Sequence, residues 1–251
     1  MIVPDAAEKV ALVCGGSRGI GKAVVLALAG RGVGTIVVNY LQDDEAAAQT
    51  KAQVEAAGSA CYLERANLGF PQEIDALFER IGQKYRRLDI FIHAAAYGAF
   101  KPLHRVKPNQ WDLSMAINAR SFLQCTQRCL SLMPSGKIVA ISSLGSLRSI
   151  PNYGAIGASK AALEASVRQL AMELCPRGIQ VNGVSAGFVR TSSLAKFPEF
   201  EKMLDQVIAV TPAGRIGTPE DVARVVMLLI SPESDWIQGQ VIVADGGFSL
   251  I

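Results

Sequence analysis

Seven short β-branched runs alternate with longer stretches of helical composition, and this alternation restricts the possible folds more than any other feature. The runs are Val10–Cys14, Thr35–Asn39, Ala60–Arg65, Ile90–His93, Lys137–Ser142, Gln180–Val184 and Gln240–Val243. Between them lie Gly19–Gly30, Asp43–Ala57, Pro71–Lys84, Asn109–Met133, Tyr153–Leu174 and Pro219–Ile230, with helix-forming composition or apolar residues at helical spacing. Pro71 and Pro219 suit first-turn positions, where a missing N–H costs nothing. Strand and helix in this repetition predict an α/β fold: a seven-stranded parallel sheet with helices on both faces. The stretch 188–215 breaks the rhythm after the sixth strand, with Ser192–Val210 reading as a loop. An excursion at a strand's carboxyl end is where this architecture places a substrate lid.

Composition narrows the class. The chain has 251 residues, half of them hydrophobic, enough for one large α/β domain or two small ones. No linker, repeat or charge block divides it, so one domain over 1–251 is expected. A formal charge of +3 with no basic cluster predicts no nucleic-acid partner. No apolar run approaches the roughly 20 residues that span a bilayer. The first residues lack the basic-then-apolar pattern of a secretory signal. The five cysteines (Cys14, Cys61, Cys125, Cys129 and Cys175) are odd in number and scattered, so a reduced cytoplasmic protein with no metal site is expected. Cys125 and Cys129, one helical turn apart, read as small core residues. With only His93 and His104 available, a catalytic acid here is expected to be something other than imidazole.

The first strand runs straight into glycines and then a helix: Val10-Ala-Leu-Val-Cys-Gly-Gly-Ser-Arg-Gly-Ile-Gly21. Gly15, Gly19 and Gly21 would let backbone approach a pyrophosphate, and the helix N-terminus would offer free N–H groups to the anion. Position after the first strand and before a helix makes this a dinucleotide fingerprint rather than a simple connection. An NAD site usually carries an acid at the end of the second strand. Here that strand ends Asn39-Tyr40, and Asp43 reads as the start of the next helix. Arg18, inside the turn, could face a 2′-phosphate. Together these favour NADPH.

The glycine turn, Asn118 in Ile117-Asn-Ala-Arg, Ser142-Ser143 and Lys160 in Ala158-Ser-Lys-Ala-Ala resemble the short-chain dehydrogenase/reductase family over essentially the whole chain. That resemblance implies a single Rossmann-type doubly wound domain, a nicotinamide cofactor and a homotetramer. The family's tyrosine normally lies four residues before its lysine, a position held here by Ile156; Tyr153 lies seven before Lys160. This Y-x6-K spacing resembles the bacterial enoyl-acyl-carrier-protein reductases, with Arg18, Arg65-Ala-Asn-Leu-Gly and Ser142-Ser-Leu-Gly-Ser nearest their NADPH-dependent type III branch. A tyrosine displaced along one helix face would suit hydride delivery to a β-carbon, two atoms beyond the carbonyl carbon.

On that resemblance Tyr153 would bond the thioester oxygen, and Lys160 would hold the ribose hydroxyls and favour negative charge. Asn118 would act with them, mainly as a helix-kinking residue. Ser143 is either catalytic or a strand-end cap. The resemblance adds Ser17, Ile20, Asn39, Asn67, Ala94, Gly187, Val189 and Thr191 to the cofactor site, and Tyr97, Leu144, Phe197, Phe200 and Met203 to the substrate site. His93-Ala-Ala-Ala96 replaces the family's Asn-Asn-Ala-Gly, and His93 reads as a packed, hydrogen-bonded residue. The implied donor is an enoyl thioester on an acidic acyl carrier protein, docking near Lys196 and Lys202; a coenzyme A ester would also serve. A 3-oxoacyl ketoreductase and a non-catalytic dinucleotide-binding protein are the competing readings.

Overall fold

The computed structural model describes residues 5–192 and 200–251, with backbone only for 200–203. Seven strands pair in parallel: β1 (Val10–Cys14), β2 (Thr35–Tyr40), β3 (Ala60–Arg65), β4 (Ile90–His93), β5 (Gly136–Ser143), β6 (Ile179–Ala186) and β7 (Val241–Ala244). Their order across the sheet is β3-β2-β1-β4-β5-β6-β7. The last strand starts one residue later than its composition suggests, because Asn182 Oδ1 takes the Gln240 N–H at 2.9 Å.

The two-residue side-chain period distributes the sheet's apolar residues between two cores. From β1, Ala11 and Val13 pack with Val24, Val25 and Leu28 of α1 (Gly19–Ala29) and with Val222 and Val226 of α8 (Pro219–Leu229). Val10, Leu12 and Cys14 face the opposite way, onto α3 (Pro71–Lys84), α5 (Ser121–Cys129) and α6 (Gly154–Leu174). Each fully buried Leu, Ile or Phe in these layers contributes about 1.5–3 kcal/mol. α2 (Asp44–Ala56) is capped by Asp43, whose carboxylate accepts the Ala46 N–H at 2.9 Å.

Three helical expectations change. The segment Asn109–Met133 is not one regular helix. It comprises α4 (Pro108–Met115), a π-helical turn at Ala116–Arg120, and α5, which ends at Cys129, where the Leu132 N–H turns back to Cys129 O ahead of Pro134. The helix expected from Tyr153 starts at Gly154, leaving Tyr153 as its N-cap residue (φ −116°, ψ 2°). The loop expected at 192–210 contains α7 (Phe200–Val210), whose Leu204 and Val207 pack on Ile216. Among the described residues, no helix is long and apolar enough to cross a membrane.

Between β1 and β4 the strand order reverses. Neighbouring crossovers there go to opposite faces and leave a crevice above the strand carboxyl ends, where ligands bind in open α/β sheets.

Candidate active site

A cleft of about 680 Å³ opens at that reversal. Its floor is the glycine turn. Gly15 has φ +75°, and a Cβ there would lie 2.7 Å from the backbone of Ala95. The turn is tied to β2 by the Gly15 and Gly16 N–H groups, both donated to Asn39 O at 3.0 Å. Gly21, in the first turn of α1, would drive a Cβ to 2.0 Å from Gly15 O. Strand end and helix start are therefore in backbone contact, and the helix N-terminus faces the cleft with its unpaired N–H groups. Such a cradle, which any side chain would fill, fits a dinucleotide pyrophosphate.

The predicted residues fall around this cleft with two exceptions in kind. Gly15, Ser17, Arg18, Gly19, Ile20, Gly21, Asn39, Asn67, Ala94, Lys160, Gly187, Val189 and Thr191 line it, as do Tyr97, Ser143, Leu144 and Tyr153. Arg18 is exposed at the N-cap position of α1. The Thr191 methyl lies 3.5 Å from where a Cβ on Gly19 would sit, which puts this residue beside the phosphate turn. Asn39 is buried, and its amide nitrogen is spent on Glu64 O and Ala66 O, each at 3.1 Å, so its side chain knits β2 to β3. Asn67 Oδ1 accepts the Gly69 N–H at 2.9 Å.

The first exception is Asn118, buried behind the cleft wall on the π-helical turn. Its Oδ1 accepts Tyr97 N–H, and its Nδ2 donates to Tyr97 O (both 2.9 Å) and to Ser159 Oγ at 2.8 Å. Every polar group of that side-chain amide has a protein partner, so Asn118 ties the segment after β4 to α6 and is a positioning residue. The widened turn is what swings it there. His93, expected to be a packed, hydrogen-bonded residue, is one. It is buried, Nε2 lies 2.7 Å from Ser121 Oγ, and Ser121 gives its proton to Ile117 O at 2.6 Å, so Nε2 carries the hydrogen. Burial, aided by the Lys160 charge, pushes its pKa down to about 3. The second exception is the lid: Phe197, Phe200, Met203, Lys196 and Lys202 lie outside the residues whose side chains are described.

Tyr153, Ser143 and Lys160 meet on one wall. A Cβ on Gly145 would lie 2.5 Å from the Tyr153 ring, so only a glycine in the turn after β5 lets that ring approach its backbone. Burial raises the tyrosine pKa, and a hydrogen bond from Ser143 opposes the rise. The Ser143 Oγ also accepts the Gly145 N–H at 3.3 Å; the hydroxyl is a cap and a tyrosine partner together. Lys160 Nζ donates to Ile141 O at 2.6 Å. Desolvation lowers its pKa to about 8, and the carboxylate of Glu164 holds it up. Ile156 faces away: its side chain would stand 2.1 Å from a Cβ on Gly98. Sequence reasoning missed Phe100, whose ring centre is 6.0 Å from that of Tyr153, and Ile150, on the same cleft. The aromatic positions just beyond β4 were the available signal for Phe100.

Residues 15–249 match the family model described as enoyl-(acyl carrier protein) reductase. The chain belongs to the short-chain dehydrogenase/reductase family. Within that family it is 40% identical to the 1-cyclohexenylcarbonyl-CoA reductase of Streptomyces collinus over 247 residues, 97% of this chain and 88% of that one. The 3-oxoacyl-[acyl-carrier-protein] reductase of a Synechocystis strain is 33% identical, with 95% and 96% covered. The structure of the angucycline C-6 ketoreductase LanV, with NADP bound, superposes with a TM-score of 0.89 at 35% identity over 97% and 96%. This short-chain reductase therefore has an oxidoreductase fold, and the residues that line its cleft fit a nicotinamide dinucleotide.

Proposed function

We propose that this reductase uses NADPH to saturate the double bond of a trans-2-enoyl thioester. One observation carries the reading. The helix position where a ketoreductase places its tyrosine holds Ile156, packed against Gly98, while Tyr153 stands at the N-cap with its ring against Gly145. The Streptomyces relative supports it, since its name describes a thioester with the double bond adjacent to the carbonyl.

When bound, the nicotinamide would supply a hydride to the β-carbon. The enolate oxygen would take the Tyr153 proton, the enol would become the saturated thioester by proton movement to the α-carbon, and solvent would restore the tyrosine. Tyr153 donates a hydrogen bond to the thioester oxygen, where negative charge gathers when the β-carbon is attacked. Its raised pKa keeps it a proton donor at neutral pH. Ser143 fixes the phenol's orientation. Lys160, as a cation, would hold the ribose hydroxyls of the bound cofactor and add positive potential near the same oxygen. Phe100 and Leu144 keep water from the reacting carbons. Arg18, exposed beside the glycine turn, is the partner for a 2′-phosphate. The thioester arrives on an acyl carrier protein or on coenzyme A.

The second reading, reduction of a 3-oxoacyl thioester, is favoured by the Ser143–Tyr153 hydrogen bond, which would equally serve a ketone oxygen. Following NADPH oxidation with crotonyl-CoA and acetoacetyl-CoA separates the two. Turnover of crotonyl-CoA is expected, falling about 10²–10³-fold in Tyr153→Phe. Turnover of acetoacetyl-CoA alone would refute the proposal.

A further inference from the structure

Glu164 has no part in the chemistry above, yet it is a carboxylate only 4% exposed on the wall behind the cleft. It lies one turn beyond Lys160 on α6, so the two side chains leave the same helix face. Its Oε1 accepts from Ser142 Oγ at 2.5 Å and from Ser146 Oγ at 2.6 Å. Those two serines bracket Ser143, and Ser146 Oγ also lies 2.8 Å from Ser143 O. A buried carboxylate is costly unless a cation and hydrogen bonds satisfy it. The charge that acts on it through space is Lys160, one turn back on the same helix and itself 4% exposed.

We propose that Glu164 is a positioning residue with two effects: it keeps Lys160 protonated inside the protein, and it fixes the turn 142–146 that aims Ser143 at Tyr153. Without a counter-charge, an ammonium so buried would release its proton towards neutral pH. The other groups around Lys160 supply none. His93, from β4, is neutral because its pKa is about 3. Tyr153 is neutral, and β5 offers only the Ile141 carbonyl. Among the described residues, Glu164 alone opposes the desolvation that draws Lys160 down to about 8.

The use of Lys160 in turnover rests on the thioester-reductase reading; its protonation can be read independently. With 13Cε-labelled lysine, NMR follows Lys160 against pH, assigned by its loss in Lys160→Met. The midpoint is expected near 8 in the wild type and about one to three pH units lower in Glu164→Gln. The basic limb of kcat for crotonyl-CoA should move with it. The double variant Ser142→Ala, Ser146→Ala should raise KM and leave the Lys160 midpoint in place, because it loosens the turn and keeps the charge. Should Glu164→Gln fail to fold, Glu164→Asp withdraws the charge by one methylene and should give a smaller downward displacement. An unmoved midpoint in the folded variant overturns the inference. An inactive wild type with a moved midpoint would instead refute only the thioester reading.

Discussion

Replacing Gly21 by alanine tests the link between the glycine turn and dinucleotide binding most directly. The new methyl would lie 2.0 Å from Gly15 O, 2.9 Å from Gly15 C and 3.1 Å from Gly16 Cα. All three are backbone atoms and cannot rotate aside. An ordinary carbon–oxygen contact needs a little over 3 Å, so the turn must retreat from α1 by about 1 Å. Two terms then oppose each other in folding stability. Alanine inside a helix gains about 1 kcal/mol over glycine, while overpacking costs about 1–3 kcal/mol, leaving a net loss of at most about 2 kcal/mol. Binding has no such compensation. A hydrogen bond to a charged group is worth about 1.5–3 kcal/mol, so losing one turn or helix N–H from a phosphate weakens NADPH by about 10- to 100-fold. Fluorescence titration of NADPH measures that loss, and thermal unfolding measures the stability term. Gly30→Ala, at the exposed far end of the same helix, meets nothing nearer than 3.4 Å and should bind as the wild type does. Binding by Gly21→Ala within twofold of wild type, in a folded protein, would refute the cradle.

Two further outcomes concern stability. His93 is neutral when folded, with a pKa near 3, and ordinary when unfolded, so the unfolded chain binds the extra proton between these values. Stability is expected to fall as pH drops below about 6.5, by up to about 1.4 kcal/mol per pH unit, and denaturant melts of His93→Gln should lose that slope; parallel acid limbs would count against it. Thr218 and Asp221 form a capping box on α8, with Arg215 paired to the same carboxylate and holding its pKa near 2. Thr218→Ala should cost about 1 kcal/mol in urea denaturation.

The parallel sheet and its helices were legible because buried strands need β-branched runs and crossovers need helical lengths between them. The cofactor turn was legible for a related reason: only glycine tolerates backbone at the separations seen at Gly15 and Gly21. Asn118 and Asn39 were different. Sequence marked them as polar residues at site-forming positions, but whether an amide faces a ligand or a neighbouring strand depends on packing. Here both face neighbouring protein groups: Asn39 donates to backbone carbonyls, and Asn118 is shared between Tyr97 backbone and Ser159 Oγ. Tyr153 was found, but the expectation that it shares a helix face with Lys160 fails: it stands at the N-cap position outside α6, makes no side-chain cap bond, and packs its ring against Gly145.

What the sequence determined alone is therefore whatever rests on local rules: strand and helix order, the glycine cradle, and the exchange of tyrosine for isoleucine at position 156. Tertiary structure decided whatever depends on which groups are removed from water together. It made Ser143 both a cap and a tyrosine partner, and it packed His93 as a neutral donor. It also placed Glu164 where one buried carboxylate accepts from two serines and acts through space on a buried lysine one helical turn away. The reason is that ionisation and hydrogen bonding answer to the local dielectric and to partners distant in sequence, which no short motif encodes.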